Sequence, residues 1–296
     1  MIPAPFDHIT PVTLDEAIRA LTSHGEEAKL LAGGHSLLPL MKLRLASPKL
    51  LIDLSKIPGL AGIRQEGDKM TVGALTTHYQ IESSELLKEK CPLLPQTARV
   101  IGDVQVRNRG TIGGSLAHAD PAADLAAAML ALGAELRVRG AQGERWLKAE
   151  EFFLDLMTTA LSPSEILTEI RIPVLSGRCG TAYLKLPQKA SGFALVGVAV
   201  WLRADGGLCA DIGVGVTGLG AKPFRAVGVE RHLRRKRLEP ALIKTASAEV
   251  TRRIEPLGDI HASAEFRAHL ARLYTYRAIV EAARTAGISL TKAKGK

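Results

Sequence analysis

Thr111-Ile112-Gly113-Gly114-Ser115-Leu116-Ala117-His118-Ala119-Asp120-Pro121-Ala122-Ala123-Asp124 is the stretch on which the reading of this chain turns. A double glycine between two hydroxyls leaves main-chain N–H groups open, with no Cβ in the way. Such amides grip a phosphate through backbone dipoles rather than through lysine or arginine. A shorter stretch of the same kind, Ala32-Gly33-Gly34-His35-Ser36, comes earlier and follows the apolar run Lys29-Leu30-Leu31-Ala32, read as a short buried strand. Either stretch alone reads as an ordinary glycine turn. Together they predict a diphosphate held from two sides. Asp124, on a helix that starts near Pro121, is then placed to accept hydrogen bonds from a ribose.

Working outward, residues 1–57 read as a small α/β unit. Thr13-Leu14-Asp15-Glu16 is a capping box for a helix that Gly25 ends, and Leu50–Leu54 is a second strand. The lead-in before Pro11 reads as extended chain. Residues 58–175 read as a second unit. It has a hairpin around Glu66-Gly67-Asp68, a helix from Thr76 or Thr77 through Leu87, another over Gln96–Ile101, an alanine-rich helix Ala122–Leu132 stopped by Gly133, and a strand Ile166–Ile172. After a linker at Ser176–Gly180 the pattern changes. Residues 178–290 hold three apolar strands, Ala182–Leu186, Ala194–Arg203 and Leu208–Thr217, with Asp205-Gly206-Gly207 as a hairpin turn. Helices Val227–Leu238, Pro240–Ile254 and Ala264–Ala286 follow, then a basic tail, Lys292–Lys296.

With 296 residues, 46% hydrophobic and 23% charged, the chain reads as a globular protein of two or three subdomains. Aromatics at 4% argue against stacking surfaces for single-stranded nucleic acid. The net charge of +9 fits nucleic acid, an anionic ligand or an acidic protein partner. Cys91, Cys179 and Cys209 lie far apart, so neither a zinc site nor a four-cysteine iron–sulfur cluster is expected, and no metal ligands are assigned. No signal peptide and no membrane span are expected, which makes the expected location cytoplasmic. No GxSxG, HExxH or Walker A sequence is present, so no catalytic side-chain set is assigned, and any redox chemistry falls to a cofactor. His78 is read as a surface residue.

Two further motifs are read conservatively. Gly213-Val214-Gly215-Val216-Thr217-Gly218 matches the dinucleotide pattern GxGxxG, but Ile212, Val214 and Val216 keep a period of two through it, and Pro223 sits where a helix would extend. It is expected to be a strand. The run Arg231, Arg234, Arg235, Lys236, Arg237 is expected to be a solvated helix face or a subunit contact rather than a nucleic-acid site.

The order Ala32–Pro39, then Arg107-Asn108-Arg109-Gly110 running into Thr111–Asp124, resembles the FAD-binding medium subunit of the molybdenum hydroxylases, the family of carbon monoxide dehydrogenase medium chain and of the xanthine dehydrogenase flavin domain. The resemblance covers essentially the whole chain. It implies that Ala32, Gly33, Gly34, His35, Ser36, Thr111, Ile112, Gly113, Gly114 and Ser115 hold the FAD diphosphate, that Asp124 contacts the adenosine ribose, and that His118 lies toward the flavin. Lys185 matches a lysine that approaches the flavin, and Phe193 an aromatic residue near the isoalloxazine. Members like carbon monoxide dehydrogenase often have Asp-Tyr where this chain has Gly192-Phe193, so stacking remains and a tyrosine hydroxyl does not.

The implied fold is α+β: a two-lobed FAD-binding domain of the vanillyl-alcohol-oxidase (PCMH) type, lobe 1 at 1–57 and lobe 2 at 58–175, and a C-terminal domain at 178–290 built from a three-stranded antiparallel sheet with helices. The implied function is an FAD-carrying electron-transfer subunit. It passes electrons from a small 2Fe–2S subunit, fed by a large molybdopterin subunit, to an external acceptor within a dimer of heterotrimers. A stand-alone FAD oxidase of a small alcohol is the alternative, and a basic nucleic-acid-binding protein a third reading. The substrate and the acceptor stay open.

Overall fold

The computed structural model describes residues 2–290; the basic tail at 292–296 lies outside them. In the first unit, strand β1 (Asp7–Ile9), helix α1 (Leu14–His24), β2 (Ala28–Leu31), α2 (Leu37–Lys42) and β3 (Leu50–Asp53) form a parallel sheet in the order β1-β3-β2. The Thr13–Glu16 capping box is present, and Ala17, Ile18 and Leu21 pack on the sheet with Ile52. The lead-in is not simply extended chain, because Asp7–Ile9 pairs with Leu50–Ile52. A three-residue edge strand leaves no periodicity to read.

The second unit runs β4 (Ile63–Glu66), β5 (Lys69–Gly73), then short helices α3 (His78–Ser83), α4 (Glu85–Lys90), α5 (Leu93–Ala98), α6 (Val104–Arg109) and α7 (Ile112–His118). Next come α8 (Asp124–Leu132), β6 (Glu135–Gly140), β7 (Gly143–Lys148), α9 (Ala149–Phe152), a small hairpin of β8 (Phe153–Asp155) and β9 (Thr158–Thr159), and β10 (Ile166–Pro173). Its antiparallel sheet has the order β4-β5-β10-β6-β7. The helix expected to reach Leu87 breaks at Ser84, whose side chain accepts the Leu87 N–H and starts α4 afresh. The next begins at Leu93 rather than Gln96, with Pro95 in its first turn, where its missing N–H does no harm.

The third unit is an antiparallel sheet in the order β11 (Arg178–Pro187), β12 (Ala194–Asp205), β13 (Leu208–Thr217), β14 (Phe224–Arg225), covered by α10 (Val227–Leu233), α11 (Pro240–Ala248) and α12 (Ala264–Thr285). Three long strands were expected; the two-residue β14 adds a fourth at the edge. Gly206 and Gly207 both have positive φ, 54° and 78°, which is what a two-residue hairpin turn matching the sheet twist requires. The last helices are shorter than their apolar patterns, α10 stopping at Leu233 and α11 at Ala248.

Helix α8 joins the last two units. Every one of its residues is buried, and it lies on β13. A Cβ on Gly213 or Gly215 would overlap the carbonyl oxygens of Ala131 and Ala127, so the GxGxxG match is a strand stripped of side chains to admit a helix. Both ends of α8 are pinned. Thr217 Oγ1 donates to the Pro121 carbonyl at 2.6 Å, and Trp201 Nε1 to that of Ala131 at 2.6 Å.

Candidate functional site

The two glycine-rich segments do not share a conformation. Ala32–Ser36 is a loop between β2 and α2. Among the described residues, the amides of Gly33, Gly34, His35 and Ser36 have no hydrogen-bond partner. They form a run of open donors, with exposed His35 beside them. Thr111–Ser115 is not a loop. Thr111 caps α7, and Gly113 and Gly114 lie in its first turn. The N–H groups of Ile112, Gly113, Gly114 and Ser115 are taken by Thr76 O, Ala74 O, Thr111 Oγ1 and Thr111 O. Among the described residues, open amides are therefore found in the first segment only. Gly-Gly reads as a turn because glycine is a poor helix former, but close packing on Ala74 selects the helix: a Cβ on Gly113 would stand 2.7 Å from the Ala74 oxygen. What the second segment still offers is the half-buried Gly114–Ser115 face and the Ser115 hydroxyl.

The segments meet through a third strip of backbone. A Cβ on Gly33 would overlap the Arg109 carbonyl oxygen and stand 2.8 Å from Gly110 Cα. The loop after β2 thus touches the end of α6 main chain to main chain, one residue before Thr111. The other side of Gly110 is faced by His78, whose ring would lie 2.8 Å from a Cβ there. His78 is not a surface residue. It is 4% exposed, and its Nδ1 is buried without a partner among the described residues. Burial, with His35 and Arg107 nearby, depresses its pKa to about 4. The folded state therefore holds a neutral imidazole, and stability present above pH 6.5 is lost as pH falls toward about 4, by on the order of 3 kcal/mol. His78→Leu removes the unpaired nitrogen and should flatten that acid limb in urea unfolding measured from pH 7 to 4.5; an unchanged limb would assign it to another group.

A second cluster lies where α8 meets β11. Asp124, in the first turn of α8, is 5% exposed. Its Oδ1 accepts from the Tyr183 hydroxyl at 2.5 Å, and Lys185 Nζ stands 3.0 Å from the carboxylate. Tyr183 and Lys185 are two apart on β11 and share its face. Burial raises the pKa of Asp124 against the pull of the Lys185 ammonium and the Tyr183 hydroxyl. Burial and the neighbouring carboxylate push Tyr183 well above the ordinary tyrosine value. With both oxygens engaged inside the protein, Asp124 is not presented as a free acceptor for a ribose, and its visible work is to hold Lys185. Lys185 also donates to the Gly192 carbonyl at 2.7 Å. That bond ties down the turn Gln188–Phe193, which closes on itself through Gln188 N to Phe193 O (2.7 Å) and lies beside Gly102. Phe193, 43% exposed, sits at its end. His118 ends α7 half-buried, with no hydrogen bond among the described residues. Tyr183 carries no motif of its own in the sequence; its one signal is the spacing of two from Lys185, which puts both on one face of β11.

The donors fit an FAD. A run of open amides suits a diphosphate, the α8 N-terminus and the buried Lys185 ammonium supply positive charge, and the exposed Phe193 ring offers a stacking surface. Among the described residues no cluster of three or more His, Cys, Asp or Glu could hold a metal ion, and no helix is long and apolar enough to cross a membrane.

Residues 4–175 match the family model "FAD binding domain in molybdopterin dehydrogenase", and residues 181–282 match "CO dehydrogenase flavoprotein C-terminal domain". The chain is 38% identical over 279 residues to the carbon monoxide dehydrogenase medium chain of Hydrogenophaga pseudoflava, covering 94% of this chain and 97% of that one. It is 36% identical to the glyceraldehyde dehydrogenase medium chain of Sulfolobus acidocaldarius, covering 96% and 100%. A solved structure of the Hydrogenophaga pseudoflava carbon monoxide dehydrogenase, lacking the Mo-pyranopterin moiety of its cofactor, superposes with a TM-score of 0.94 at 38% identity, over 96% of this chain and 99% of that one. The chain is thus an FAD-binding oxidoreductase component of mixed helix and sheet. It belongs to the molybdopterin dehydrogenase FAD-binding family, and within it to the medium subunits like that of carbon monoxide dehydrogenase.

Proposed function

We propose that the chain is the electron-transfer subunit of a three-component molybdenum hydroxylase, holding FAD across the seam between residues 1–57 and 58–175 with the flavin turned toward the domain at 178–290. The observation that carries this reading is the run of four amides, Gly33–Ser36, that have no partner among the described residues and pack main chain to main chain on Arg109–Gly110. The PCMH-type fold and the three domain boundaries belong to the same proposal. Ala32–Ser36 binds the diphosphate by its amides, with Thr111–Ser115 closing the other side through Gly114 and the Ser115 hydroxyl. Lys185, positioned by Asp124 and Tyr183, sets a positive charge at the flavin end, where Phe193 stacks and His118 completes the wall. Bound FAD accepts electrons singly or in pairs, which suits a branch point between one-electron clusters and a two-electron acceptor. The chain's three cysteines, two of them buried, leave the clusters to a small 2Fe–2S partner, and substrate oxidation to a large molybdopterin partner, in a dimer of heterotrimers located in the cytoplasm.

The relatives act on substrates as different as carbon monoxide and glyceraldehyde by their names, so the substrate belongs to the partner. In anaerobic mixing of the FAD-loaded chain, its flavin should bleach when substrate is given together with the small and large subunits. It should stay oxidised with a panel of small alcohols and no partner. Bleaching by an alcohol alone would establish the stand-alone oxidase instead.

A further inference from the structure

The third unit carries a groove of about 600 Å³ that uses none of the residues assigned to the FAD site. Its wall includes Arg225, Arg231, His232, Lys236, Arg252 and Arg253, with Glu249 as an acidic member. Two of these cations are committed internally. Arg225 pairs with Glu230 at 2.8 Å and Glu150 at 3.1 Å, and Arg252 with Glu249 at 3.2 Å. Arg231, Lys236 and Arg253 are exposed and have no acidic partner among the described residues.

The basic run is also stiff. Arg235 is held at φ 62°, and its N–H donates to the Cys209 carbonyl at 2.6 Å, while the Cys209 N–H donates to that of Lys236 at 2.9 Å. Leu233 and Leu238, both fully buried, anchor the turn on either side. The side chains at this turn therefore project from backbone fixed against β13. Unpaired like charges on a rigid groove repel one another unless an anion lies between them.

The chemistry of that anion follows from what the groove lacks and what it holds. No glycine-rich loop of open amides like Gly33–Ser36 faces it, and its one aromatic, Phe224, is half-buried, so neither a phosphate cradle nor a base-stacking platform is built. Guanidinium groups match carboxylates, as the Arg252–Glu249 pair in the same wall shows. We propose that this groove docks a carboxylate-rich segment of a partner polypeptide. The proposal rests on the reading of the chain as a subunit of a larger assembly.

The FAD-loaded full chain is titrated into a fluorescein-labelled oligoglutamate peptide and anisotropy is followed. Saturable binding is expected, and the triple variant Arg231→Glu, Lys236→Glu, Arg253→Glu should weaken it about tenfold or more. A control with the same charge change at the exposed residues Arg19, Lys56 and Lys148 should stay within about twofold of the parent. No binding by the parent, equal weakening in both variants, or stronger competition by oligothymidylate than by unlabelled oligoglutamate would each overturn the docking site. Flavin absorbance, read in the same samples, should be the same in all three proteins. A parent chain that takes up no flavin would instead overturn the subunit reading, so the two failures are told apart.

Discussion

Gly33→Val is expected to yield a folded protein without flavin. The new side chain has nowhere to go: its Cβ would overlap the Arg109 carbonyl, with Gly110 Cα at 2.8 Å. Both are backbone, so neither can rotate away, and relief comes only by parting the Gly33 loop from Arg109–Gly110. Overpacking of this kind costs about 1–3 kcal/mol locally, but it falls on the seam and not on the three hydrophobic cores. The four open amides would move with the loop, and the affinity for FAD with them. Flavin absorbance after reconstitution checks the loss, and far-UV circular dichroism checks that the fold survives. Gly114→Ala provides the graded comparison. Its Cβ meets Thr111 Oγ1 at 2.9 Å and then nothing nearer than Ala32 Cβ at 3.7 Å, so it should lower affinity less. Gly113→Ala, jammed against the Ala74 backbone, should instead lower the stability of the fold. Full flavin content in Gly33→Val would remove the basis for placing the diphosphate there.

Lys185→Met should be the most destabilising single change near the site. It strips the ammonium from a carboxylate that is 5% exposed and leaves Asp124 with the Tyr183 hydroxyl alone. Removing one partner of a buried pair costs about 3–5 kcal/mol, far more than the pair contributes relative to a neutral replacement. The double variant Asp124→Asn, Lys185→Met should therefore recover most of the loss, which gives the cycle a large coupling energy. The pH dependence has a definite sign. The folded-state pKa of Asp124 is already raised by burial and rises further without the lysine. A carboxyl with a raised folded pKa contributes stability at low pH that is lost as pH climbs through that value. Lys185→Met should thus lose less relative to the parent in acid than at neutral pH, as read by urea unfolding. Additive single and double effects would show that the pair is not coupled. The Gln188–Phe193 turn, freed from Lys185, should also become the preferred site of limited proteolysis in this variant.

Several features were legible because the deciding physics is local. The capping box at Thr13, the stop of α8 at Gly133 and the glycine turn at Gly206 depend on residues within a few positions of one another. The strand identity of Gly213–Thr217 was legible from its period of two, and α8 from its length and composition. Other features were not. Thr111–Ser115 looked like a loop and is a helix, because the contact that selects it comes from Ala74, far back in the chain. His78 looked like a surface residue, since its neighbours in sequence say nothing about Gly110 closing over it.

By itself, then, the sequence determined the family and the mixed helix-and-sheet layout, and it singled out two glycine-rich segments as candidates for the cofactor, since a glycine-rich motif is written in consecutive residues. Only the tertiary structure decided which donors in those segments are open. Among the described residues, the amides at Gly33–Ser36 have no partner and those at Ile112–Ser115 are spent, because Thr76, Ala74 and Thr111 accept from the second set and none accepts from the first. It likewise gave Asp124 to Tyr183 and Lys185, partners 59 and 61 residues away. Pairings at that range depend on how α8 lies on the C-terminal sheet, and a packing arrangement between units has no periodicity or spacing that a linear chain can display.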